Sequence, residues 1–204
     1  MTTLAGGNSM AATLVSGRPA LRYAWYAFLA VSGSLAIALA AKTQVPFWPV
    51  PMTLQTLAIF VIAASFGMRL GVATVLIYLA EGLAGFPVFA GAAAGPAYFA
   101  GPTAGFLAGF VVAAAMIGLA ADRGLSRKPF QLFGAMLVAD IVLLAMGFAW
   151  LAFMFVSAKT GTTLGASVAF NAGVLPFLPG ELVKLVLAAC LLPALWQLGA
   201  KFSR

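Results

Sequence analysis

Glu181 and Lys184 stand three residues apart in an otherwise apolar run, and that spacing places a carboxylate and an ammonium on one helix face within reach of each other. Ionisable groups among so many hydrophobic neighbours are costly and need either a partner or a task. Two readings are open: a mutually neutralising ion pair with Lys184 reaching toward a membrane interface, or a donor and acceptor set for a polar ligand. Pro179-Gly180 delivers the pair from a loop, which favours the ligand. Asp140, in Val138-Ala139-Asp140-Ile141, must face a bundle interior, with a structural hydrogen bond and a ligand contact both open. Glu81, three residues after Tyr78, is expected to brace loops through backbone N–H groups or to line a pocket. Gln55 with Thr53 and Thr56 offers uncharged hydrogen-bonding groups at a pocket rim or a helix start.

Absent residue types close off most catalytic chemistry. The chain has no histidine and a single cysteine, so His-based acid/base work, His-ligated metals and thiolate clusters are excluded, as is an intrachain disulfide. Cys190, among Leu and Ala, is expected to be a buried small hydrophobe. No phosphate-cradling Gly-x-x-x-x-Gly-Lys-Ser/Thr run occurs. An intramembrane aspartyl protease needs two aspartates on facing spans, whereas Asp122 sits in a charged loop. The chain is therefore read as a non-enzyme with no metal and no cofactor.

The elements that must carry these groups are membrane spans. Only 7% of residues are charged and 64% are hydrophobic, and apolar stretches such as Ala104 to Ala121 and Leu132 to Val156 approach or exceed the roughly 20 residues a crossing helix needs. The sequence predicts an all-α integral membrane protein with six transmembrane helices at about 20–41, 50–66, 70–84, 103–121, 130–156 and 181–199, after a disordered tail over 1–19. The formal charge of +7 does not point to nucleic acid, because the basic residues are scattered singly. The six-span arrangement puts Arg18, Arg22, Arg69, Arg123, Arg127, Lys128, Lys201 and Arg204 on one side and leaves Lys42, Lys159 and Lys184 opposite. The positive-inside rule then makes both termini cytoplasmic.

The outer connections are long, nearly uncharged and rich in Pro, Gly and aromatics. Pro46, Pro49 and Pro51 stiffen the first into an extended segment; the others run from Gly85 to Thr103 and end at Leu175 to Gly180. Such loops are tolerated near membrane depth where they fold onto protein or line a cavity, so they are expected to cover one outward pocket. Gly101, Gly105 and Gly109 form a small-residue stripe expected to pack tightly within the chain. Ala20, Ala24, Ala36 and Ala40 repeat the same spacing on the first span and are candidate contacts for a partner helix.

Four motifs in order, Gln44-Val45-Pro46-Phe47-Trp48-Pro49-Val50-Pro51-Met52-Thr53-Leu54-Gln55-Thr56-Leu57, Tyr78-Leu79-Ala80-Glu81-Gly82 with Gly85-Phe86-Pro87-Val88-Phe89-Ala90-Gly91, Gly101-Pro102-Thr103-Ala104-Gly105-Phe106-Leu107, and Leu175-Pro176-Phe177-Leu178-Pro179-Gly180-Glu181-Leu182-Val183-Lys184, resemble the BioY family. Its members are biotin-binding S components of energy-coupling factor (ECF) transporters. The resemblance covers about residues 36–198. It implies an S-component-like fold, biotin uptake across the plasma membrane of a bacterium as a multi-pass protein in contact with lipid, and partners in a membrane coupling protein and ATPases, or a homo-oligomer where the protein is solitary. Biotin offers a carboxylate, an apolar ring and tail, and ureido N–H donors. Lys184, Phe47, Trp48, Phe89, Tyr98 and Glu181 are candidates to meet these, with Gln55, Tyr78, Thr103, Phe106 and Asp140 completing the substrate-binding set. The family pattern usually has Gly-Pro-Thr-Gly-Gly-Tyr where this chain ends in Phe106, Asp where it has Glu181, and Asn where it has Asp140. Uptake of lipoate or a biotin precursor by the same fold, and a non-transporting membrane assembly subunit, are the alternatives.

Overall fold

The computed structural model describes residues 19–91, 93–158 and 160–202. Most of the expected tail, residues 1–18, lies outside the described residues. Helix α1 is Pro19–Lys42; a two-residue antiparallel hairpin follows, β1 Gln44–Val45 and β2 Met52–Thr53, with Gln44 opposite Thr53 and Val45 opposite Met52. The three prolines fall between or beside these strands, where no ladder donor is required. Helices α2 Gln55–Phe66 and α3 Met68–Leu83 are joined at Gly67, whose φ of 81° lets the chain reverse within one residue. After a 3₁₀ turn at Pro96–Ala100 come α4 Ala104–Asp122, a second 3₁₀ turn at Leu125–Arg127, and α5 Pro129–Ala149, prolonged by a π turn at Trp150–Met154. A short helix, α6 Gly165–Gly173, precedes α7 Leu178–Phe202.

Helix α4 is the centre of the packing, against α5, α3 and α2, while α7 closes the bundle over α2 and α5 and α1 lies on α3 and α2. The glycine stripe works as expected: a Cβ on Gly105 would sit 2.3 Å from Trp150 Cβ and 2.7 Å from Met146 O, and one on Gly109 3.2 Å from the Leu143 Cα, so α4 and α5 approach to backbone contact. The core includes Ile37, Ile59, Phe60, Ile117, Leu132, Met136, Leu143 and Leu185.

Several expected boundaries shift. Residues 50–54, assigned to the second span, are bend and strand, so α2 has only 12 residues, about 18 Å against a hydrocarbon layer of about 30 Å. Pro49 and Pro51 disfavour helix at Trp48 and Val50, and Met52 and Thr53 are taken up as strand opposite Val45 and Gln44. Helix α6 lies within what the sequence reads as a loop, and it meets α7 at a 46° bend. Among the described residues three helices, Leu21–Lys42, Ala104–Asp122 and Pro129–Met154, are long and apolar enough to cross a membrane, or four if the bent α6–α7 pair is one span. Cys190 is exposed, not buried, on the outer face of α7 beside Leu187 and Leu191, which are also exposed.

Candidate functional site

The shortness of α2 shapes the site. Because the helix begins only at Gln55, the space above its first turn is enclosed by Val50, Pro51 and Thr53 of the hairpin, by α4, by α5 and by the start of α7. The cavity has about 480 Å³ of empty volume, including the part open to solvent. Tyr98, Phe106, Phe110 and Phe177 supply aromatic wall, Leu107, Leu143 and Leu144 aliphatic wall, and Gln55, Thr56, Thr103 and Glu181 the polar groups.

Glu181 and Lys184 sit in the first turns of α7, both about 95% buried, with Lys184 Nζ 2.7 Å from Glu181 Oε1. Lys184 Nζ also donates to Thr56 Oγ1 at 3.0 Å, which ties α7 to α2. The ion pair and the ligand set read from the sequence are therefore not exclusive: one carboxylate oxygen is held by Lys184, and the other, Oε2, is buried without a donor. Asp140 on α5 lies beside Glu181 and within electrostatic reach of Lys184, and its Oδ1 also lacks a donor. Two carboxylates thus share one ammonium, and the Asp140 and Glu181 side chains also lie within hydrogen-bond distance of each other, so that one proton can bridge them. Among the described residues neither Glu181 Oε2 nor Asp140 Oδ1 has a donor of its own, and buried acceptors are nearly always satisfied, so the pair needs a shared proton or an outside donor.

The aromatic wall is built from both sides. Phe89 is fully buried and stacks on Tyr98 with centroids 4.4 Å apart and planes 9° from parallel, while Tyr78 meets it edge-on at 5.5 Å. A Cβ on Gly82 would fall 2.1 Å from the Phe89 ring, so only glycine admits that ring here. Tyr78 donates to Val88 O at 3.3 Å and accepts from Gln55 Nε2 at 2.7 Å, fixing the amide at the cavity edge. Thr53 Oγ1 donates to Gln55 Oε1 at 2.9 Å, so both ends of that amide are engaged. Burial pushes the Tyr98 phenol above its ordinary pKa, with the Thr103 hydroxyl opposing the shift, and the ring faces the cavity as a neutral phenol. Phe106 rests on Gly147, where a Cβ would come within 2.3 Å of it, and pairs with Phe177 at 6.1 Å.

Of the sequence-derived candidates, Gln55, Tyr98, Thr103, Phe106 and Glu181 line the cavity. Tyr78, Phe89 and Lys184 stand one layer behind, each touching a lining residue, and Asp140 lies next to Glu181. Phe47 and Trp48 are not brought into the wall: they are 40% and 62% exposed on the hairpin, and Phe47 reaches only the Phe177 ring at 6.4 Å. Glu81 accepts a hydrogen bond from Ser34 Oγ on α1 at 2.9 Å, which joins two helices where a loop contact was expected. Ala24 and Ala36 are exposed and Ala40 half-buried on α1; the Ala20 side chain lies outside the described residues. Sequence reasoning did not single out Phe110, Leu143, Leu144 or Phe177 as cavity walls. Phe110, Leu143 and Leu144 sit in long apolar runs, where Gly105 and Gly147, which let α4 and α5 close, mark the neighbourhood; Phe177 lies in the Pro-flanked loop before α7, whose sequence does not show that its ring turns to the cavity. Among the described residues no cluster of His, Cys, Asp and Glu is arranged to hold a metal.

Residues 12–201 match the model of the BioY family. A biotin transporter BioY of Rhizobium etli is 35% identical over 164 residues, covering 77% of this chain and 83% of that protein. Biotin transporter BioY2 of Lactococcus lactis is 33% identical over 155 residues, 76% of this chain and 81% of the relative. The crystal structure of the S component for biotin from an ECF-type ABC transporter superposes with a TM-score of 0.75 at 21% identity, covering 89% of this chain and 95% of that one, a likeness of fold.

Proposed function

From the premise that the chain belongs to the BioY family, we propose that it is the substrate-binding membrane subunit of an ECF-type transporter and that it takes up biotin. The observation that carries this reading is Glu181 Oε2, a buried oxygen in the cavity wall with no N–H donor among the described residues. A ureido group brings the N–H donors that such an oxygen needs, and biotin's apolar bicycle fits among Tyr98, Phe106 and Phe177. Asp140 adds a second acceptor from behind. Lys184 does not line the cavity and spends two donors on Glu181 and Thr56, so it holds Glu181 in place, and the ligand carboxylate lies toward the outward mouth.

Lipoate supplies no N–H donor and would leave the same oxygen unsatisfied, at about 1–3 kcal/mol for a stranded buried group; a precursor that keeps the ureido ring would not. The rest follows from topology. Both termini are cytoplasmic, on the side of eight of the eleven basic residues; α1, α4, α5 and α6–α7 cross the membrane, and the shorter α2 and α3 complete six crossings with their loops. A coupling protein meets the small-residue face of α1 at Ala24, Ala36 and Ala40, and ATPases supply the energy. The membrane is the plasma membrane of a bacterium.

Calorimetric titration of the purified protein with biotin is the test. Saturable one-to-one binding, displaced by dethiobiotin and not by lipoate, is the expected result. Binding that survives both Glu181→Ala and Lys184→Ala would sink the site, and displacement by lipoate alone would move the substrate class.

A further inference from the structure

Lys42 closes helix α1 and makes an unusual set of contacts: its Nζ donates to the carbonyl of Pro87, to that of Phe89 at 2.7 Å and to that of Gly91 at 2.7 Å. An ammonium has three donors, and all three go to alternate residues of one loop, none to a carboxylate. The backbone over 87–91 is thereby wrapped around a cation that belongs to another element. Bonds from a charged donor are about twice as strong as neutral ones, and among the described residues the main chain of 86–91 is otherwise held by Phe86 N–H to Glu81 O at 3.1 Å, by Val88 N–H to Phe86 O, and by the Tyr78 hydroxyl to Val88 O at 3.3 Å.

The loop so held is a wall. Ala90 lines the cavity, and Phe89 is the ring on which Tyr98 stacks. On its other side Phe86 and Val88, with Ser34, Leu35 and Glu81, line a second cavity of about 560 Å³ between α1 and α3. Residues 86–90 therefore contribute to both cavities, and a displaced loop would open the site sideways. We propose that Lys42 is a positioning residue for ligand retention: it fixes loop 86–91 from α1 so that Phe89 and Ala90 close the binding cavity. Phe89 packing sets the ring, and Lys42 sets the backbone beneath it.

The inference rests on the proposed biotin site for one of its two tests. With full-length protein in nanodiscs, radiolabelled biotin dissociation is compared for wild type, Lys42→Met, Lys42→Gln and Lys42→Arg. Lys42→Met is expected to speed dissociation about tenfold, with association and Tm little changed, and Lys42→Arg to restore most of the loss because it keeps charged donors. In ligand-free protein, amide exchange over 86–91 should quicken in Lys42→Met while α4 and α5 remain protected. Should Lys42→Met fail to fold, Lys42→Gln, which keeps a short donor, carries both comparisons. Unchanged dissociation in a folded variant, or unchanged exchange over the loop, overturns the proposal. Failure of wild-type protein to bind biotin would refute the functional reading alone, and the exchange experiment would still decide the role of Lys42.

Discussion

The two ends of the bundle surround their polar groups differently. At the Gly67 turn the Met68 N–H donates to Asp122 Oδ2 at 3.1 Å and Ser126 Oγ donates to the Ala64 carbonyl at 2.9 Å. Helix α4 there touches backbone: a Cβ on Gly118 would lie 2.4 Å from Met68 Cα. At the loop end, α2 starts late, a cavity opens, and Glu181 Oε2 and Asp140 Oδ1 stay without donors. One end is closed by backbone meeting backbone; the other encloses a cavity with two acidic side chains at its edge. In the proposed reading rigidity belongs to the first and recognition to the second, with Gly118 and Phe106 of α4 at the two ends.

The largest test of that division is Lys184→Met. It removes the ammonium that two buried carboxylates share, and an unpaired buried charge costs about 3–5 kcal/mol, so Tm should fall steeply and biotin binding vanish. Adding Glu181→Leu to it removes the stranded charge and should recover much of the lost Tm without recovering binding. If the double variant binds biotin, the loop end is not the recognition end. Next in size is Gly118→Ala, expected to cost about 1–3 kcal/mol by forcing α4 from the Gly67 turn, with biotin Kd unchanged in the fraction that folds. The control is Gly134→Ala on α5, where an added Cβ meets nothing within 4 Å; a gain of about 0.4–1 kcal/mol is expected there. Equal effects at the two glycines in thermal unfolding would erase the contrast.

The turn end was the easier one to read from sequence. Short charged loops and apolar runs are local patterns, and they placed the long helices α1, α4 and α5 within a few residues. The loop end depends on contacts between distant segments. Glu181 and Lys184 were legible because charge is rare here, and Tyr98 and Thr103 because they lie in a loop motif. Leu143 was not, since one more apolar residue among many carries no mark of which way it faces, and Phe177 stands in a loop motif that does not tell which way its ring turns. Residues 50–54 read as helix for a related reason: their hydrophobicity suits a span, Pro49 and Pro51 disfavour helix only at the residues before them, and the pairing of Met52 and Thr53 with Val45 and Gln44 joins separated segments. Helix α6 escaped because nine residues with Gly at both ends resemble a loop.

The smallest effect is the sharpest on where the cavity ends. Trp48 looks like a ligand-stacking residue by type, yet it is 62% exposed on the hairpin, while Tyr98 lines the wall and stacks on the buried Phe89. Trp48 does not line the cavity and phenylalanine keeps a ring in its place, so Trp48→Phe should move biotin Kd by no more than about twofold. Tyr98→Ala, which removes ring area from the wall and the stacking partner of Phe89, should weaken binding by about tenfold or more. Calorimetric titration of both variants decides the matter. A larger loss at Trp48 than at Tyr98 would mean that the hairpin folds inward over bound ligand, and the recognition end would then extend to Phe47 and Trp48, residues that stand outside the wall in the ligand-free fold.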